Sequence, residues 1–129
     1  MSLTIDKQTK RVLVVDDVAD NIFLVQFLLE DRGYKVSTAE NGKAAVFQVK
    51  TAAEKPDLIV LDLMMPEMNG YEVIERLRHC QNVPNIPILL MTADSSISYD
   101  DAMDAGADEI MYKPLNLEQF ITKVKSFDL

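Results

Sequence analysis

The sequence predicts an α/β fold in which a parallel sheet is covered by helices on both faces. Three observations predict it. Short apolar runs alternate with segments of helical spacing along the chain after residue 10, the pattern of βα units. Several runs are apolar without a break, as strands buried on both faces are. The runs also end in polar residues, at the strand ends where open sheets of this class collect their functional groups.

Residues 1–10, MSLTIDKQTK, are polar and expected as a flexible lead, so the folded domain is expected to span 11–129. The first strand is Val12–Val15, four aliphatic residues in front of Asp16 and Asp17. A helix over Asn21–Arg32 follows, with Ile22, Val25, Leu28 and Leu29 on one face and Gly33 to end it. The second strand, Lys35–Thr38, is polar enough to lie at an edge. Asn41-Gly42 opens a second helix that turns Ala45, Val46, Val49 and Ala52 inward. The third strand, Leu58–Leu61, runs into Asp62, and a third helix from about Asn69 buries Val73, Ile74 and Leu77. Ile86–Met91 forms the fourth strand and delivers Thr92 and Ala93. A short fourth helix over 97–105 is expected, capped by Ser95 or Ser96 and ended by Gly106. The fifth strand, Glu109–Met111, leads through Tyr112 to Lys113 and Pro114. The last helix starts at Asn116 or Leu117 and buries Leu117, Phe120, Ile121 and Val124.

The totals agree with one soluble domain. A chain of 129 residues, 48% hydrophobic and 26% charged, suits a single core of ordinary composition. The net charge of −8 argues against direct nucleic-acid binding, which needs clustered Lys and Arg. Cys80 is the only cysteine, which rules out an intramolecular disulfide or a thiolate metal cluster and suggests a reducing, cytoplasmic setting. No apolar run approaches a membrane span, and VLVV is too short for a signal-peptide core. Cys80 and the sole histidine, His79, close the helical segment RLRHC and are read as packing or surface residues.

The strand ends carry the chemistry. Parallel strands in similar register would bring Asp16, Asp17, Asp62, Thr92 and Lys113 to one shallow cleft. Two carboxylates about 4 Å apart repel by roughly 4 kcal/mol at an effective dielectric of about 20, so three together need cations. A hard divalent ion such as Mg²⁺ suits them, and with Lys113 it brings the formal charge of the group to zero. A carboxylate beside Mg²⁺, a lysine and a hydroxyl has the parts for covalent phosphoryl transfer, with the carboxylate as nucleophile. Thr92 would bond a phosphoryl oxygen, and the small Ala93 leaves room for the group. No GxxxxGK[ST] or GxGxxG stretch and no zinc-type histidine pair is present.

The four stretches VLVVDD, LIVLDLMMPEMNG, ILLMTA and KPL, at these separations, resemble the receiver domain of two-component response regulators from about Arg11 to the last residue. The resemblance implies a flavodoxin-like (βα)5 fold with strand order 2-1-3-4-5. It implies that Asp62 accepts a phosphoryl group from a phosphohistidine on a sensor histidine kinase or histidine phosphotransfer protein. Asp17, Asp62 and the backbone carbonyl of Met64 would ligate Mg²⁺, with Asp16 acting through metal-bound water. Thr92 and Lys113 would contact the phosphoryl group, and the Lys113–Pro114 bond would be cis. Phosphorylation would draw Thr92 inward and shift the fourth helix and last strand, a change read by a downstream protein or output domain. The protein would be a monomer when unphosphorylated, with dimerisation open to the activated form.

The chain departs from the family pattern at one point. An aromatic residue often stands three before the lysine and turns inward on activation, and here that position is Ile110. Tyr112 shares its strand parity and is a candidate substitute, although an exposed or packing role is the simpler reading. Met64 and Asp94 flank the path of an attacking water. Met64 cannot orient one and Asp94 could orient or repel it, so a long-lived acyl phosphate is expected. The acidic residues Asp100, Asp101, Asp104 and Asp108 are read as a solvated face.

Two alternatives remain open. A pseudo-receiver would keep the fold as an interaction module without the chemistry, although the acidic pair, Asp62 and Lys113 are all present. An aspartyl-phosphate phosphatase of the haloacid dehalogenase type would need DxDx[TV] after the first strand, where this chain has DDVAD.

Overall fold

A computed structural model describes residues 9–129, so most of the expected lead lies outside the described residues. Five strands alternate with five helices: β1 (Arg11–Val15), α1 (Ala19–Glu30), β2 (Lys35–Ala39), α2 (Gly42–Thr51), β3 (Leu58–Asp62), α3 (Gly70–Arg78), β4 (Ile88–Thr92), α4 (Tyr99–Asp104), β5 (Glu109–Tyr112) and α5 (Leu117–Ser126). All pairings are parallel and the sheet order is β2-β1-β3-β4-β5. The chain therefore reverses its winding between β1 and β3, and the C-terminal ends of these two strands mark the switch point.

β3 and β4 are buried at every residue, as their unbroken apolar runs require. β2 alternates exposed and half-buried residues at the open edge. The sheet divides the core in two. On one face Leu13, Ile59, Leu61, Leu90 and Ile110 pack under α2, α3 and α4. On the other, Val12, Val14, Val60, Leu89 and Met111 pack under α1 and α5, with Phe120 fully buried.

Three helices begin where an asparagine side chain accepts a backbone N–H of the first turn: Asn41 for α2, Asn69 for α3 and Asn116 for α5. Asn69 and Glu72 also complete a reciprocal capping box.

Several expected boundaries move, each for a local reason. α1 begins at Ala19 rather than Asn21, because Val18 serves as N-cap through its backbone and has no side-chain cap to read. β4 begins at Ile88 rather than Ile86, after Pro87, which has no N–H for the ladder. α4 begins at Tyr99 under a Ser98 cap, not at Ile97 under Ser95 or Ser96. The Asp94 carboxylate accepts from both the N–H and hydroxyl of Ser96, folding residues 94–97 into a turn that delays the helix. Leu117 is 48% exposed at the start of α5 rather than buried. Asp108 is not simply solvated either, since it accepts from Ile88 N–H at 2.8 Å and from Arg78 at 3.1 Å.

Candidate functional site

The register of β1 and β3 builds the centre of the site. Val15 pairs with Leu61, so the next residues, Asp16 and Asp62, stand side by side at the switch point. Both are buried, while Asp17 is exposed beside them. One carboxylate oxygen from each of Asp16, Asp17 and Asp62 lies within 4.8 Å of the others. Lys113, the residue after β5, reaches across with its Nζ 3.1 Å from Asp16 and 3.3 Å from Asp62. The Lys113–Pro114 bond at its base is cis, as the resemblance implies.

The electrostatics follow from this packing. Burial, then the Asp16 charge, raises the pKa of Asp62, while Lys113 and the Met64 backbone amide pull it down and do not prevail. Burial alone would lower the pKa of Lys113, but the carboxylates of Asp62 and Asp16 outweigh it and raise it. The site is thus a crowded anionic pocket with a firmly charged ammonium. Three oxygen donors at this spacing, with no nitrogen or sulfur among them, fit a hard divalent cation of the Mg²⁺ kind.

The structure places the remaining candidates around this centre. Thr92 is fully buried at the end of β4, and its hydroxyl accepts from the Asp94 N–H at 3.0 Å. Ala93 is exposed just past it, at the rim. Met64 stands in the loop after Asp62 with its side chain 57% exposed. That loop returns closely onto β3, since Gly70 N–H donates to Leu63 O, and a Cβ on Gly70 would lie 2.8 Å from the Asp62 carbonyl oxygen. Asp94 is engaged by Ser96, whose N–H and hydroxyl both donate to Asp94 Oδ1 and lower its pKa. Ile110 is buried in the core under α4. Tyr112 lies on the same strand with its ring exposed, and its hydroxyl donates to Ile97 O at 2.6 Å.

One part of the site was not legible in the sequence. Asn21, Leu24 and Val25 of α1, with Met91, Pro114 and Leu115, line a cavity of about 430 Å³ that opens beside Asp16, Asp62 and Lys113. Leu24 is 40% exposed, and next to it Phe23 and Phe27 are 72% and 60% exposed on the outer face of the same helix. The only sequence signal is that α1 is apolar on more than its core-facing side.

Known proteins resemble this chain in sequence and fold. The response regulator receiver domain family matches residues 12–125. The alkaline phosphatase synthesis transcriptional regulatory protein PhoP of Bacillus subtilis is 42% identical over 118 residues, 91% of this chain and 48% of that protein. Histidine kinase P4 of Formosa agariphila is 34% identical over 127 residues, 96% of this chain and 9% of that protein. The solved structure of chemotaxis response regulator CheY4 of Vibrio cholerae matches with a TM-score of 0.83 at 30% identity, covering 92% of this chain and 98% of that one. The chain therefore spans about half the length of a relative such as PhoP and nearly all of CheY4. The chain belongs to the response regulator receiver domain family, a family of signalling proteins in two-component systems.

Proposed function

We propose that this chain is a phosphorylation-dependent switch in which Asp62 receives a phosphoryl group from a phosphohistidine of a sensor kinase or phosphotransfer protein. The carrying observation is the buried Asp62 carboxylate, held 3.3 Å from Lys113 and grouped with Asp16 and Asp17 at the switch point. An Asp62 oxygen attacks phosphorus, the bond to the donor imidazole nitrogen breaks, and the nitrogen keeps the electron pair. Asp17, Asp62 and the Met64 carbonyl would hold Mg²⁺, with Asp16 reaching it through water. The ion, when bound, would supply positive charge to neutralise the phosphoryl oxygens. Lys113, with its Nζ 3.3 Å from Asp62, would add a second positive charge, and the Thr92 hydroxyl would leave the Asp94 amide to bond a phosphoryl oxygen. The strand-end segment that carries Thr92 then moves, and α4 and β5 present an altered surface to a partner or output domain.

The donor needs a surface within reach of Asp62. The exposed Phe23 and Phe27 give α1 such a face, and Leu24 joins it to the cavity beside the acceptor. The acyl phosphate should be long-lived. Met64 cannot orient a water, and Asp94 is held by Ser96. A hydrolysis half-life of seconds would contradict this.

Intact mass spectrometry after incubation with acetyl phosphate tests the reading. A gain of one phosphoryl group that requires Mg²⁺ and is lost in Asp62→Asn supports it. A folded wild type that takes no group from acetyl phosphate or from a phosphohistidine donor favours the pseudo-receiver, and turnover of an external phosphate ester favours the phosphatase reading.

A further inference from the structure

The cavity beside the acceptor has two chemically different parts. Asp16, Asp62 and Lys113 form its charged end, while Leu24, Val25, Met91, Pro114 and Leu115 supply apolar walls. Its volume of about 430 Å³ is that of a small-molecule site, so it has room for more than a phosphoryl group.

One polar residue of the lining is uncommitted. Lys113 Nζ ties Asp16 and Asp62 together through contacts of 3.1 and 3.3 Å. Asn21 is the one other lining residue whose side chain makes strong hydrogen bonds. It stands half-buried in the first turn of α1, where its backbone N–H donates to Val18 O. Among the described residues, no hydrogen bond holds its side-chain amide. A neutral amide adds nothing to the crowded negative charge of Asp16 and Asp62. A second anion would gain little between those carboxylates and the apolar walls. A flat ring that carries an N–H matches both the walls and the amide.

We propose that this cavity is a leaving-group subsite that takes the imidazole of a phosphohistidine, with Asn21 Oδ1 accepting the N–H of the ring nitrogen remote from phosphorus. The assignment rests on Asp62 being the acceptor, and it adds the residue that reads the donor ring. In the transfer, the bond from Asp62 oxygen to phosphorus forms and the phosphorus–nitrogen bond breaks, and that nitrogen keeps the electron pair. The remote nitrogen already carries a proton, so the ring departs as neutral imidazole rather than as an anion. Asn21 stabilises the protonated ring and takes no proton from it. Acetate leaves acetyl phosphate without any N–H, so it gives the Asn21 oxygen nothing to accept.

The test labels wild type, Asn21→Leu and Asn21→Asp in Mg²⁺ with phosphoimidazole and, separately, with acetyl phosphate, following intact mass over time. Leucine is close to asparagine in size and removes the acceptor, whereas aspartate keeps an acceptor oxygen. Taking the ratio of the two rates cancels any change in folding, Mg²⁺ affinity or Asp62 reactivity that both donors share. The subsite predicts that the phosphoimidazole to acetyl phosphate ratio falls about tenfold in Asn21→Leu, as the loss of one hydrogen bond from a charged donor should cause. It also predicts that Asn21→Asp restores the wild-type ratio. An unchanged or raised ratio in Asn21→Leu, or an equal fall in both variants, would overturn the subsite and leave Asp62 as the acceptor. A folded wild type that neither donor labels would overturn the acceptor reading and the subsite with it.

Discussion

Replacing Asp62 by Asn should make the metal-free protein more stable, because the wild-type carboxylate sits where its charge is opposed. The Asp16 and Asp62 oxygens lie within 4.8 Å of each other. At an effective dielectric of about 20 this repulsion is about 3.5 kcal/mol. Taking the buried carboxylate out of water adds a penalty of several kcal/mol. Against these stands Lys113, 3.3 Å away, whose attraction on the same scale is about 5 kcal/mol. The balance is a net cost of roughly 1–2 kcal/mol, in agreement with the raised pKa of Asp62. Asn keeps the shape and an oxygen for Lys113 while removing the charge. Thermal unfolding followed by circular dichroism in chelator at neutral pH should show the variant melting roughly 4–7 °C higher for a chain of this size. Saturating Mg²⁺ should close the gap, since it stabilises the chain that binds it better. A variant less stable than wild type without metal would refute the argument that the site is held against its own repulsion.

Other expectations follow from the same geometry. Removing the bridging cation by Lys113→Met leaves two buried carboxylates unbalanced and should cost roughly 3 kcal/mol in a metal-free denaturant titration. Because the Asp62 pKa is raised above 3.8 on folding, the folded state keeps a proton that the unfolded state has lost. This group's contribution to stability therefore grows as pH falls from neutral through its folded pKa, and the advantage of Asp62→Asn should shrink over that window in unfolding curves. Lys113, raised above 10.5, stabilises below that value and loses its contribution as pH rises through its folded pKa. Gly70→Ala places a methyl group 2.8 Å from backbone beneath the acceptor. It should cost about 1–3 kcal/mol and slow acetyl phosphate labelling more than it lowers stability. The pair Phe23→Ala and Phe27→Ala should leave stability within about 0.5 kcal/mol, as exposed positions do, while slowing transfer from a phosphohistidine protein and not from acetyl phosphate.

Much of this was readable in the residues because two periodicities carry it. Strands such as LIVLD and ILLMT are buried on both faces and read as unbroken apolar runs. Asp62 and the Asp16–Asp17 pair were conspicuous because carboxylates at the tips of such strands have no packing reason to be there. What escaped depends on local bonds or distant segments. Asp94 seizing Ser96 moved the start of α4, and the backbone cap at Val18 hid the start of α1. The cavity under Leu24 arises from helices packing on strands far away in sequence, and no spacing rule announces it.

The most direct test of the central claim asks which atom carries the phosphoryl group. Protein labelled with acetyl phosphate and Mg²⁺ is treated with borohydride, which reduces an aspartyl phosphate to homoserine, and its peptides are sequenced by mass spectrometry. The account predicts homoserine at position 62 alone, dependent on Mg²⁺. Phosphate on His79, homoserine at position 16 or 17, or labelling that survives Asp62→Asn would contradict it.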